Sequence, residues 1–67
     1  MPLNPKTIKQ LRERRRLTQQ QAADASGMSR SRWAEIEAGM AQGSNPSLDR
    51  IEAIAKALGV GVARLLR

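Results

Sequence analysis

Residues 29–35 read Ser-Arg-Ser-Arg-Trp-Ala-Glu, short and long hydrogen-bonding side chains set around a single tryptophan. That chemistry suits the edges of paired bases. An arginine can bond both acceptors of a guanine edge, a serine can donate or accept, and a glutamate can accept from a cytosine amine. Alanine at 34 leaves room for close approach or touches a thymine methyl. Wound as a helix at about 100° per residue, the stretch puts Trp33, Ile36 and Glu37 on one side. Ser31, Glu35 and Ala38 fall roughly opposite, with Ala34 beside them and Arg30 at the N-terminal end. One face is built for a core and the other for reach. Trp33 has a rival reading, stacking on a base or a partner, but its spacing with Ile36 favours the core.

Other chemistries are poorly served. The chain has no histidine and no cysteine. That removes the usual general base, the Ser-His and Cys-His pairs, and the Cys/His sets of structural zinc sites. Lysine and glutamate are present, but nothing pairs them in an obvious site. No catalytic residue, metal, cofactor or small-molecule ligand is expected, and an enzyme is not. The opening "MPLNPKTIKQ" has no apolar run of signal-peptide length and no segment could span a bilayer, so a soluble, cytoplasmic protein with no membrane partner is expected.

Formal net charge is +6, and its placement is uneven. Residues 1–34 hold Lys6, Lys9, Arg12, Arg14, Arg15, Arg16, Arg30 and Arg32 against Glu13 and Asp24. Residues 35–67 balance Arg50, Lys56, Arg64 and Arg67 against Glu35, Glu37, Asp49 and Glu52. The whole excess sits in the half that contains the arginine-serine run, which suits a polyanionic partner. A merely soluble basic surface is the alternative, and charge alone does not separate the two.

The elements that must position these residues are short. Sixty-seven residues make one domain, 1–67, with no room for a second core. A chain this small buries only about 60% of its unfolded surface. Without disulfides or zinc, stability must come from tight helix packing, helped by self-association. Asn4-Pro5 predicts a first helix, with asparagine as N-cap and proline at the first position, running to about Arg16. "TQQQ" fits a capping box, Thr18 with Gln21, opening a second helix to about Ala25 that stops at Gly27. Ser29 caps a third, to Ala38, ended by Gly39. Ser47 starts a fourth, in which Leu48, Ile51, Ile54, Ala55 and Leu58 keep the clearest helical period; Gly59 ends it. "VARLL" supplies a short fifth. No segment alternates like a strand, so the fold class is all-α.

A glycine between two short helices makes a tight angle between them, which is the plan of a helix-turn-helix, here over 18–39. In that plan one helix braces and the next, about 30–38, enters the major groove of DNA. Gln19, at the start of the second helix, is well placed for a phosphate. At this point "IKQLRERRRLTQQQAADASGMSRSRWAEIEAG" and "NPSLDRIEAIAKALGV" resemble the phage-repressor/Cro-type, or XRE-like, helix-turn-helix family. The resemblance covers about residues 6–66 and rests on the order of "LTQ", "A-x-x-x-G-M-S", "I-E-x-G", "NPSL" and "IAKALGV".

The resemblance implies a compact five-helix DNA-binding domain, usually a homodimer, acting on palindromic double-stranded operators as a transcriptional regulator or repressor. Carried over by position, Arg30, Ser31 and Glu35 would read bases, with Ala34 beside them. Gln19 would hold phosphate, joined by Thr18, Ser29, Arg32, Ser44 and Asn45. Arg12 and Glu37 would form a structural ion pair. Val60, Val62 and Leu65 are the candidate dimer contact, and the same residues could serve another protein partner.

Departures from the family pattern sharpen the expectations. Ala22 stands where leucine is usual and Trp33 where a smaller isoleucine or valine is usual, so the two swaps are expected to compensate in volume. The loop between Gly39 and Pro46 is longer than is common and lacks the family's frequent positive charge. Arg16 stands where glycine often ends the first helix, at about 1 kcal/mol if φ is positive. Gly61 stands where serine often caps the fifth, at a few tenths. In "RERRR" Arg15 is expected to lay its stem over the core, with Arg14 and Arg16 solvated or in contact. Arg32 either touches phosphate or pairs with Glu35. Met28 is assigned to the core.

Three functions of different kind remain in view. The first is sequence-specific duplex binding. The second is a protein-interaction module, such as an antitoxin-like partner whose DNA binding is secondary. The third, single-strand binding, needs aromatic platforms for bases, and the one aromatic residue here is assigned to the core.

Overall fold

A computed structural model describes residues 3–40 and 47–66. Four α-helices and a terminal 3-10 helix follow in order: α1 (Pro5–Arg14), α2 (Gln19–Ala25), α3 (Arg30–Glu37), α4 (Leu48–Leu58) and the 3-10 helix Val62–Leu65. The expected fifth α-helix is therefore a 3-10 turn. Gly61 offers it no side-chain cap and it spans four residues, a length at which the tighter i→i+3 pattern is common. α1 and α3 also stop short of expectation, at Arg14 rather than Arg16 and at Glu37 rather than Ala38.

The helix starts follow local chemistry. Asn4, Thr18, Ser29 and Ser47 each sit in extended backbone and accept, through a side-chain oxygen, from the N–H three residues on. At Thr18 the box is reciprocal: Gln21 N–H donates to Thr18 Oγ1 at 3.0 Å and Thr18 N–H to Gln21 Oε1 at 2.9 Å. The four α-helices end alike, on a left-handed residue: Arg16 (φ 57), Gly27, Gly39 and Gly59. At the first, Arg16 N–H donates to Glu13 O and Leu17 N–H to Arg12 O, the paired bonds of a Schellman stop. The Arg15 guanidinium lies over Gly59, where a Cβ would collide with it, and so places a cation at the C-terminal end of α4.

Ile8 and Leu11 of α1, Trp33 and Ile36 of α3, and Ile51, Ile54, Ala55 and Leu58 of α4 form the core, which Leu65 closes. α2 brings only Ala22 and Ala23, both fully buried, while the largest buried side chain is Trp33. α2 rests on α3 and α4, and α1 on α3 and the 3-10 helix. Met28 is partly buried against this core, and Leu48, the first of the α4 period, is exposed. One pairing has no counterpart in the sequence reading: Leu3 and Leu66 form an isolated antiparallel bridge, and Asn4 N–H donates to Leu65 O at 2.7 Å. Among the described residues no helix is long and apolar enough to cross a membrane, and no three His, Cys, Asp or Glu group to hold a metal.

Candidate nucleic-acid interface

The turn between α2 and α3 sets the geometry. Ser26 ends α2 in a helical conformation and donates its hydroxyl to Ala22 O at 2.8 Å. Gly27 then takes φ 70, its N–H meeting Asp24 O at 3.2 Å while Met28 N–H meets Ala23 O at 3.0 Å. A Cβ there would touch nothing, so the need for glycine is one of backbone conformation and not of space. Two residues later Ser29 caps α3, its Oγ accepting from Arg32 N–H at 3.2 Å.

α3 is two-faced as its helical spacing requires. Trp33 and Ile36 are buried, whereas Ser29, Arg30, Ser31, Arg32 and Glu35 are exposed; Ala34 is half-buried between the faces. Arg32 makes no ion pair with Glu35, since the salt bridge found among the described residues joins Arg12 to Glu37. An α-helix with its side chains is about 10–12 Å across, and a major groove is about 12 Å wide. The outward side of α3 therefore offers arginine forks and small hydroxyls on a rod of groove dimensions.

Beneath it, the Glu37 carboxylate gathers donors from three helices. Arg12 of α1 approaches side-on, Nε to Oε2 at 2.5 Å and Nη2 to Oε1 at 3.2 Å, and its Nη1 donates to Leu17 O at 2.7 Å. Gln19 Nε2 of α2 reaches Oε1 at 3.1 Å, and Trp33 Nε1 reaches Oε2 at 2.5 Å. The side chains of Arg12 and Glu37 are 12% and 4% exposed. Burial pushes the Glu37 carboxyl up, but the bonds from Arg12, Trp33 and Gln19 outweigh it and hold its pKa below the usual carboxylate value. The bond to Glu37 raises the Arg12 pKa against the opposing effect of burial.

These positions alter several expectations. Gln19 is half-buried and bonded to Glu37, so its amide is already oriented, with its second N–H and its carbonyl oxygen uncommitted. Thr18 is exposed, with its oxygen engaged in the capping box. Ser44 and Asn45 lie outside the described residues. Leu65 is a correction: it is fully buried in this chain's own core, so it has no side chain to offer a second copy, while Val60 and Val62 remain half-buried against that core. Two partners of Glu37 were not foreseen. Trp33 and Glu37 stand four residues apart on one helix, a spacing at which side chains meet, and that was the available signal. Gln19 lies 18 residues away, and no local pattern points to it.

Residues 6–67 match the helix-turn-helix domain family. The chain is 44% identical over 59 residues to the immunity repressor protein of Bacillus phage phi105, an alignment covering 88% of this chain and 39% of that protein. Among solved structures, the restriction-modification controller protein C.AhdI of Aeromonas hydrophila superposes with a TM-score of 0.81 at 31% identity, covering 92% of this chain and 89% of that one. ComR from Streptococcus suis superposes with a TM-score of 0.74 at 33% identity, covering 92% of this chain and 19% of that one. The chain thus spans about two fifths of the length of the phage repressor and about one fifth of that of ComR.

Proposed function

The chain belongs to the helix-turn-helix domain family, and on that premise we propose that it is a DNA-binding transcriptional regulator of phage-repressor type, reading double-stranded DNA with α3 in the major groove. One observation supports this above the rest. Ser31 and Glu35 are exposed on the side of α3 opposite the buried Trp33, with Arg30 exposed at its N-terminal end, and all three are residue types that bond base edges. Ala34, half-buried, permits close approach. Thr18, Gln19, Ser29 and Arg32 flank this face and are the proposed phosphate contacts, together with Ser44 and Asn45, which lie outside the described residues. The formal charge of +6 favours the same polyanion.

The finer reading is a cytoplasmic homodimeric repressor on a palindromic operator. Two copies would set their α3 helices about 34 Å apart, one turn of DNA. With Leu65 committed to the core, Val60 and Val62 are the residues proposed to face the second copy. Selection of bound duplexes from a random pool tests the proposal in one step. The expected outcome is a two-fold symmetric site with half-sites centred about 10 base pairs apart. A pool that yields no preferred duplex would refute sequence-specific reading and leave the protein-interaction alternative.

A further inference from the structure

We propose that Trp33 is a positioning residue: its indole N–H, by gripping Glu37 from within α3, sets the carboxylate that aims the side-chain amide of Gln19 at the start of α2. The inference rests on the duplex-reading function above and deepens it. Burial of the ring by itself would account for a bulky apolar side chain at this position. It does not account for where the N–H goes.

A carboxylate offers about four acceptor sites, and here four donors use them. Oε2 takes Arg12 Nε and Trp33 Nε1; Oε1 takes Arg12 Nη2 and Gln19 Nε2. Arg12 and Glu37 sit on different helices and meet through two long, jointed arms. Trp33 differs from both. It has two side-chain torsions, its ring is fully buried, and it shares the backbone of α3 with Glu37. Its bond therefore fixes the glutamate end of the pair against α3 itself. Gln19 hangs from the other oxygen of the same group, half-buried, with one N–H and its carbonyl oxygen uncommitted. Loss of the indole bond leaves Oε2 one donor short at a side chain that is 4% exposed, and the carboxylate is then held only through the jointed arms of Arg12 and Gln19. Gln19 then loses its fixed direction while α2 stays in place.

The residues are few enough for chemical synthesis, which allows a substitution that separates shape from hydrogen bonding. Replacing Trp33 by benzothienylalanine keeps the bicyclic ring and puts sulfur where the N–H was; Trp33→Phe is the second variant. Two readouts are taken: the NMR shift and solvent exchange of the Gln19 side-chain amide protons without DNA, and affinity for a selected and a random duplex at one salt concentration. The expected result is a folded chain whose Gln19 amide protons shift and exchange faster. Affinity should fall about tenfold on both duplexes alike, the worth of one well-made hydrogen bond to phosphate. Unmoved Gln19 resonances in either folded variant overturn the proposal, as do moved resonances with unaltered affinity. In the natural chain the indole proton should exchange slowly, and rapid exchange overturns it without any variant. If the natural chain binds neither duplex, the duplex-reading function is what has failed, and the Gln19 resonances alone decide the role of Trp33.

Discussion

The indole Nε1 of Trp33 and the guanidinium Nε of Arg12 donate to the same oxygen of Glu37, each at 2.5 Å. One donor belongs to the helix that carries the acceptor and the other to α1, so a single carboxylate ties the groove-facing helix to its scaffold.

Arg12→Ala should destabilise the fold by roughly 3–5 kcal/mol, because it leaves a carboxylate buried without its cation. Total stability for a chain of this size is on the order of 3–10 kcal/mol, so the loss takes a large fraction of it, and at the lower end of that range much of the protein would be unfolded at 25 °C. Urea denaturation at neutral pH measures it. A loss below about 1 kcal/mol would mean that the pair behaves like an exposed one.

Acid should weaken the fold through Glu37. Its folded-state pKa is held below the ordinary value, chiefly by Arg12, Trp33 and Gln19 acting against burial. The unfolded chain therefore takes up the proton first as pH falls. The stabilisation is fully present above the ordinary carboxylate range, about pH 4, and is lost as pH drops through the lower folded value. Circular dichroism melts between pH 7 and pH 2 should show the decline, and Glu37→Gln should flatten that part of it.

Trp33→Val should cost a few kcal/mol as a cavity mutation. Ala22, also fully buried, is the expected partner in volume, so adding Ala22→Leu should recover part of the loss. Recovery stays incomplete because valine has no donor for Glu37. Strictly additive effects in a thermal double-mutant cycle would show that the two positions do not share space.

Arg16 holds φ 57 at the stop of α1, a conformation unfavourable for a residue with a Cβ. Arg16→Gly should stabilise by about 0.5–1 kcal/mol after the added freedom of the unfolded chain is counted, or several degrees in Tm. Arg16→Ala keeps the strain and should give no such gain. Equal melting temperatures for the two variants would assign any change to the lost charge.

On DNA, Arg30→Ala should relax preference at one base position, whereas Gln19→Ala should weaken all sequences alike. If about six phosphates are neutralised, log K should fall against log salt with a slope near −5. Equal loss from Arg30→Ala on selected and random duplexes would remove its base-reading role.

The parts of this fold legible in the sequence are those decided within a few residues. Asn4-Pro5, Thr18 with Gln21, Ser29 and Ser47 announce helix starts because each cap bonds three residues on. The period of Trp33 and Ile36 fixes which side of α3 is wet. The Arg12–Glu37 pair came through resemblance, since 25 residues separate its members. Leu65 was misassigned because a four-residue 3-10 turn has too little period to say which way a leucine points. The Leu3–Leu66 bridge involves one residue from each end, so there was no alternation to see. Gln19 was read for phosphate alone, because its bond to Glu37 is set by packing, not by spacing.

Trp33 is the one aromatic residue in the chain. Every near-ultraviolet photon the molecule absorbs is thus taken up in its interior, directly under the helix proposed to meet the double helix. Intrinsic emission becomes a label-free gauge of that spot: excitation reports seating, loosening or collapse of α3 with no background from tyrosine and no dye to perturb it.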